Sequence, residues 1–260
     1  MKLIRPDGTK LHYETHGTGL PLICFGGLIA PVSLTREKLL PLLGDTFQLI
    51  LISYRGHEDT EFSAPFTLND LLDDAVAVLD TLGIAQTDVF GDAFGATLAA
   101  LLAVTYPQRV RRVVACSIAA ASDPRLRWRI QGWYKLMKYA NFELLMDAVI
   151  PDLFGRKFLV EQRQHVLAMS QRWVARKQRE DLLQLFDASI RHRGGDVSAL
   201  KQPLLILQGS DDLIIPPEHG RALKALLPHA EYVELESGHA VMEEAAEAIA
   251  RELRRFLLAT

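Results

Sequence analysis

The sequence predicts an α/β fold: a mostly parallel sheet with helices on both faces, and a helical cap inserted into it. Three observations carry that prediction. Short apolar runs of strand length alternate with helical patterns over residues 11–116 and again over 204–258. Strands separated by helices imply parallel pairing and a sheet covered on both faces. Between these stretches, residues 121–196 hold a series of helical stripes with no strand among them. The chain is 260 residues long, enough for a core that needs no covalent staples.

Taken in order, Leu11–Thr15 and Leu22–Phe25 are short apolar runs ending in turn signals, and both read as strands. Gly26-Gly27 follows the second, and Leu34–Leu43 is helical in pattern. Phe47–Ser53 is a continuous apolar run, as a sheet buried on both faces requires. Thr67–Leu82 reads as a helix: Thr67 can cap it, Asp70 sits three residues on, and Leu71, Ala75, Val78 and Leu82 recur at helical spacing. Asp88–Phe90 is a strand and Phe94–Thr105 a helix ended by Pro107, after which Val110–Cys116 is another buried strand.

The insertion follows. Ile130, Trp133/Tyr134 and Met137 form one stripe, and Phe142, Leu145/Met146 and Val149 a second. Val166, Met169 and Trp173 make a third, and Leu183, Phe186 and Ile190 a fourth. Three or four helices in a row predict a cap over residues 121–196, closed by Gly194-Gly195, on a core made of 1–120 and 197–260. Alternation then resumes with a strand at Leu204–Gln208, a helix at Pro217–Leu227, a strand at Ala230–Leu235 and a final helix at Glu243–Leu258.

Composition narrows the function classes. The net charge of −3 argues against a general nucleic-acid binder. Cys24 and Cys116 lie in apolar, strand-like runs and read as buried free thiols. The N-terminal residues show no apolar signal region, and no segment approaches 18 uninterrupted apolar residues, so a cytoplasmic protein without a membrane span is expected. Charge is unevenly placed. Residues 121–200 carry 14 Lys/Arg and 9 Asp/Glu, a net +5, so the remainder carries −8.

Four pieces sit in loops that follow strands, where open α/β sheets place their sites. They are Phe25-Gly26-Gly27-Leu28, Gly91-Asp92-Ala93-Phe94-Gly95, Gly209–Pro216 with Asp211 and Asp212, and Ser237-Gly238-His239. The second has the pattern of a nucleophile elbow, G-x-S-x-G, with alanine in place of serine. Singly the others are ordinary: a glycine pair makes a turn, an acid caps a helix, a Gly-His is incidental. Together they run nucleophile position, acid, base, at 93, 212 and 239.

In these motifs the chain resembles the α/β-hydrolase fold family along essentially its whole length. The resemblance implies a triad of position 93, Asp212 and His239, with Asp211 as a neighbouring cap or surface charge. It also implies an oxyanion hole from the backbone N–H groups of Gly27 and Phe94. Asp212 would accept the Nδ1–H of His239, whose Nε2 would serve as general base. Each oxyanion donor would contribute roughly 3–4 kcal/mol. Neither a metal nor an organic cofactor is implied.

Three positions depart from the family pattern. Phe25 stands where His is usual in His-Gly. Ser53-Tyr54-Arg55-Gly56-His57-Glu58 resembles the Asp-x-Arg-Gly-x-Gly loop, with Ser53 and Glu58 at the usual Asp and Gly positions, and is expected to shape the pocket. The third is Ala93, whose methyl group cannot attack a carbonyl; losing a triad serine lowers kcat on the order of 10⁶-fold. Three accounts of Ala93 stand: a deliberate serine-to-alanine knockout of an otherwise complete triad, a natural pseudoenzyme that binds a small hydrophobic ligand, or a displaced aspartate nucleophile at Asp92. The completeness of the surroundings favours the first. A binding-only pocket has no use for an Asp–His pair, and Asp92 lies one residue early.

The cap is rich in Trp, Tyr, Phe and Met, and a subset of these must wall the pocket. Leu28, Trp128, Trp133 and Met137 are the expected substrate-binding residues, and the substrate is expected to be a hydrophobic acyl compound. Arg125, Arg127, Arg129, Lys135 and Lys138 suggest an anionic partner, an acyl carrier protein or a coenzyme A thioester.

Overall fold

The computed structural model describes residues 1–57, 59–62, 64–119, 123–175, 179–192 and 197–259, without the Arg179 side chain. Glu58, Gly194-Gly195 and the expected cap boundaries at 121 and 196 lie outside the described residues.

Among the described residues, eight strands form one sheet. In chain order they are β1 (Lys2–Ile4), β2 (Lys10–His16), β3 (Leu20–Phe25), β4 (Phe47–Ser53), β5 (Thr87–Asp92), β6 (Val110–Cys116), β7 (Leu204–Gly209) and β8 (Glu231–Leu235). Their spatial order is β1-β2-β4-β3-β5-β6-β7-β8. β1–β2 and β2–β4 pair antiparallel, and every other neighbour pairs parallel. β5 and β7 are buried at every residue. That explains the apolar run Leu204–Leu207 of β7, since a parallel sheet has no solvated face, whereas β5 buries Asp88 and Asp92 beside Val89 and Phe90. β1, only three residues long and largely exposed at the sheet edge, has no apolar pattern by which to read it.

The core helices are α1 (Val32–Leu43), α2 (Leu68–Thr81), α3 (Phe94–Thr105), α9 (Pro217–Leu226), α10 (Val241–Glu244) and α11 (Ala246–Leu257). α1 packs on α11, α2 on α3, and α9 on β7 and β8. α2 starts with the expected capping box: Thr67 Oγ1 accepts from the Asp70 N–H at 3.4 Å, and Asp70 accepts from the Thr67 N–H at 2.7 Å. The single final helix expected at Glu243–Leu258 is two, α10 and α11, broken at Ala245 (φ −140°, ψ 34°). Cys24 and Cys116 are free and buried. No helix among the described residues is long and apolar enough to cross a membrane.

Between β6 and β7 stand α4 (Pro124–Tyr139), α5 (Phe142–Leu153), α6 (Arg156–Glu161), α7 (Arg163–Val174) and α8 (Arg179–Arg191). The extra helix relative to the expected three or four is α6, six residues with no apolar stripe of its own. α4 packs on α5 and α8. The cap is tied to the core at several points. Arg129 donates to Leu213 O at 2.5 Å, His219 Nε2 lies 3.1 Å from Asp123 Oδ2, and Ala240 N–H donates to Leu153 O at 2.7 Å.

The loop after β4 is anchored by a buried ion-pair cluster. Arg55, 4% exposed, donates to Asp74 at 2.7 and 3.0 Å and to Asp7 at 2.5 Å; Arg5 also donates to Asp74 at 2.9 Å. Removing one partner of a buried pair leaves a desolvated charge behind, a loss of about 3–5 kcal/mol. Asp74→Ala is therefore expected to lower the urea denaturation midpoint by a matching amount at pH 7 while leaving far-ultraviolet circular dichroism unchanged.

Candidate active site

Ala93 sits between β5 and α3 with φ 53° and ψ −111°, a conformation non-glycine residues rarely adopt. Its neighbours explain why the chain turns there. A Cβ on Gly95 would lie 2.1 Å from Phe25 O, and one on Gly91 would lie 2.2 Å from Gly95 O. Neither approach leaves room for a side chain, so α3 starts directly against the end of β3. That contact brings the loop after β3 alongside, and a Cβ on Gly27 would lie 4.0 Å from the Ala93 Cβ. Phe94 is the first residue of α3, where backbone N–H groups have no intrahelical acceptor. The backbones of Gly27 and Phe94 thus flank the Ala93 methyl.

The Gly26–Leu28 loop is held from the side by the segment after β4. Tyr54 Oη donates to Gly26 O at 2.9 Å, and the Tyr54 ring stacks on Phe25 at 6.2 Å. His57 Nε2 lies 3.1 Å from Leu28 O. A carbonyl only accepts, so this nitrogen carries the proton. Tyr54 and His57 are supports that the sequence pattern marked only as part of a pocket-shaping loop.

Asp212, 1% exposed, follows β7. Its Oδ1 accepts from the N–H groups of Ile214 at 2.9 Å and Ile215 at 2.8 Å, and its Oδ2 from Gln208 Nε2 at 3.1 Å and His239 Nδ1 at 2.9 Å. Burial opposes ionisation of Asp212, but the His239 imidazole and these donors outweigh it and hold the carboxyl below its usual range. His239 shows the reciprocal balance. Burial disfavours its charge, yet the Asp212 carboxylate raises its pKa above the ordinary value. A carboxylate only accepts, so Nδ1 bears the proton and Nε2 is the free ring nitrogen. Asp211 caps the cap instead, accepting from the Arg156 N–H at 2.7 Å.

These groups meet at a cavity of about 710 Å³ between sheet and cap. Ala93, Phe94, Gly27, Leu28, Trp133 and His239 line it, as do Ile130, Trp173 and Phe186. Trp128 and Met137 do not. Trp128 is 72% exposed on the outer face of α4, and Met137 is fully buried among the cap helices. The helical pattern identified α4; which of its faces looks inward was set by how it docks. Arg125, Arg127, Lys135 and Lys138 are exposed, while Arg129 is tied to Leu213 and Asp152.

The profile of the alpha/beta hydrolase fold family matches residues 21–246. The chain belongs to the alpha/beta hydrolase fold family. This α/β-hydrolase is 28% identical over 210 residues to a 2-hydroxymuconate semialdehyde hydrolase of Pseudomonas putida, covering 78% of this chain and 73% of that one. It is 25% identical over 280 residues to a hydrolase of Bacillus subtilis (strain 168), covering 96% and 95%. Among solved structures, the enol-lactonase of Burkholderia xenovorans LB400 superposes with a TM-score of 0.87 at 25% identity, covering 97% of this chain and 98% of that one. An alpha/beta hydrolase enzyme from a deep-sea metagenome library superposes with a TM-score of 0.91 at 20% identity, covering 100% and 98%. The chain is therefore of the hydrolase type, and its sheet and helices are those of the family.

Asp92 behaves differently from Asp212. It is 7% exposed, and its Oδ1 has no hydrogen-bond partner among the described residues. Burial pushes its carboxyl from 3.8 up to about 6. A carboxyl raised on folding is bound to a proton in the native state where the unfolded chain has lost it. Native stability contributed this way is full below about pH 4 and lost as pH rises through about 6. Asp92→Asn is thus expected to denature later than the parent at pH 7, with the gap closing toward pH 4, measured by urea titration across that range.

Proposed function

We propose that this α/β-hydrolase has the site of a serine-type acyl hydrolase or acyltransferase, an esterase, lactonase or thioesterase acting on a hydrophobic acyl compound, with its nucleophile position filled by alanine. One observation carries the reading: the hydrogen-bonded Asp212–His239 pair presents its free ring nitrogen at an apolar cavity whose wall also holds Ala93, Gly27 and Phe94. The relative named as an enol-lactonase supports including cyclic esters among the substrates.

With serine at 93, His239 Nε2 takes the hydroxyl proton as the oxygen attacks the acyl carbon. The negative charge that develops on the carbonyl oxygen is met by the N–H groups of Gly27 and Phe94. His239 then returns the proton to the leaving group, and water or an acceptor alcohol releases the acyl chain by the reverse steps. Asp212 holds the imidazole in the tautomer this needs and balances its charge. With alanine at 93 no acyl-enzyme forms, and the chain is expected to be largely inactive.

Ala93→Ser is expected to raise hydrolysis of short and long acyl esters or thioesters by several orders of magnitude, since loss of a triad serine removes on the order of 10⁶ in kcat. Adding His239→Ala to that variant is expected to abolish the gain. No gain on any ester or thioester points instead to a protein that binds a small hydrophobic ligand without catalysis.

The cationic outer face of α4 supports an acyl thioester of coenzyme A or of an acyl carrier protein as the donor. α4 holds five Lys/Arg and no acid, and its inner residues Leu126, Ile130 and Trp133 line the cavity. In the Ala93→Ser background, Arg125→Gln with Lys135→Gln is expected to raise KM for acyl thioesters of these carriers while leaving KM for simple esters in place. Equal effects on both substrates would remove the thioester reading and leave the esterase reading intact.

A further inference from the structure

We propose that Glu244 is a positioning residue whose carboxylate joins the loop carrying His239 to the cap, and so sets where the imidazole stands; the proposal rests on His239 as the general base. Glu244 ends α10, five residues beyond the histidine. Both of its oxygens lie 3.1 Å from the Gly238 N–H, immediately before His239. They also lie 3.1 and 3.2 Å from the N–H of Gly155, which precedes α6 in the cap. One carboxyl group thus accepts from two backbone donors on two separate segments; burial pushes its pKa up, and the Gly238 and Gly155 N–H groups work against that by favouring its ionised form.

The two segments touch backbone to backbone around that carboxylate. A Cβ on Gly238 would lie 2.2 Å from Gly155 N, and one on Gly155 would lie 3.0 Å from both Gly238 N and Glu244 Oε2. On the other side of the histidine, the Ala240 N–H donates to Leu153 O at 2.7 Å. The junction of α5 and α6 therefore grips the residues before and after His239. Asp212 has its own donors on the loop after β7, Gln208, Ile214 and Ile215, and that loop meets the histidine loop where the Asp211 N–H donates to Ser237 O at 2.9 Å. Loosening Glu244 removes the carboxylate link that fixes Gly238 to the cap, while Asp212 keeps Gln208, Ile214 and Ile215 as donors. A misplacement of about 1 Å is enough to lower a rate on the order of 100-fold.

Two measurements test this. In the chain as it stands, the Nδ1 proton of His239 hydrogen-bonded to Asp212 should give a low-field proton resonance. It is expected to persist in Glu244→Gln, whose amide oxygen can still accept, and to disappear or broaden in Glu244→Ala. In the Ala93→Ser background, Glu244→Ala is expected to lower kcat about tenfold or more with KM changed less than about threefold, and Glu244→Gln to recover much of the loss. Gly155→Ala keeps the carboxylate but crowds it, and should shift kcat in the same direction. If Glu244→Ala keeps both the resonance and kcat, the proposal is wrong. Should Glu244→Ala not fold, unchanged resonance and kcat in both Glu244→Gln and Gly155→Ala overturn it equally. An inactive Ala93→Ser variant sinks the hydrolase reading instead, and the resonance still decides whether Glu244 positions the histidine.

Discussion

The site depends on a backbone contact that only glycine allows. Gly95 lies so close to the end of β3 that a Cβ would fall 2.1 Å from Phe25 O. This approach seats the start of α3 against the loop after β3 and brings Gly27, Ala93 and Phe94 around one point. It also holds Ala93 at φ 53°, a conformation that costs an L-residue about 1–3 kcal/mol and persists because its flanks leave no alternative. Placement of a side chain at 93 is thus a property of the scaffold, independent of whether that side chain can react.

Two buried carboxyls at this centre show how partners decide charge. Asp212 and Asp92 are 1% and 7% exposed, so burial works against the ionised form of both. Asp212 accepts from two backbone N–H groups, Gln208 and His239, and stays below the usual carboxylate range. Asp92 leaves one oxygen without a partner and is driven the other way. The same desolvation gives opposite outcomes because the donors and the imidazole charge around Asp212 outweigh it, and the weaker help Asp92 receives from Cys116 and His239 does not.

The cap acts as more than a lid. Leu153, Gly155 and Arg156 bind Ala240, Glu244 and Asp211, so the α5–α6 junction is part of the mounting of the histidine loop. Elsewhere the cap supplies wall: Ile130, Trp133, Trp173 and Phe186 give the cavity its apolar character. The break between α10 and α11 falls directly after Glu244, where the chain ends one helix with the carboxylate turned to the two glycines.

Much of this was legible in one dimension. Phe47–Ser53, Phe94–Thr105 and Val110–Cys116 were read at the bounds they adopt, because deep burial leaves apolar runs that local turn and breaker residues delimit. The glycines of the turns and the order of positions 93, 212 and 239 are equally local. Other features leave no such trace. β1 pairs at the sheet edge through backbone bonds, and α6 has no stripe. Trp128 and Met137 lie on one amphipathic helix, and only its docking put the first in solvent and the second in the core. The supports Tyr54, His57 and Glu244 act on backbone atoms of segments distant in sequence, and no spacing rule reaches across such a gap. The sequence by itself determined most of the elements, their order and which loops carry reactive groups, since each depends on residues a few positions apart. The tertiary structure alone decided which faces meet the cavity and what holds each group in place, because those depend on contacts between segments that only folding brings together.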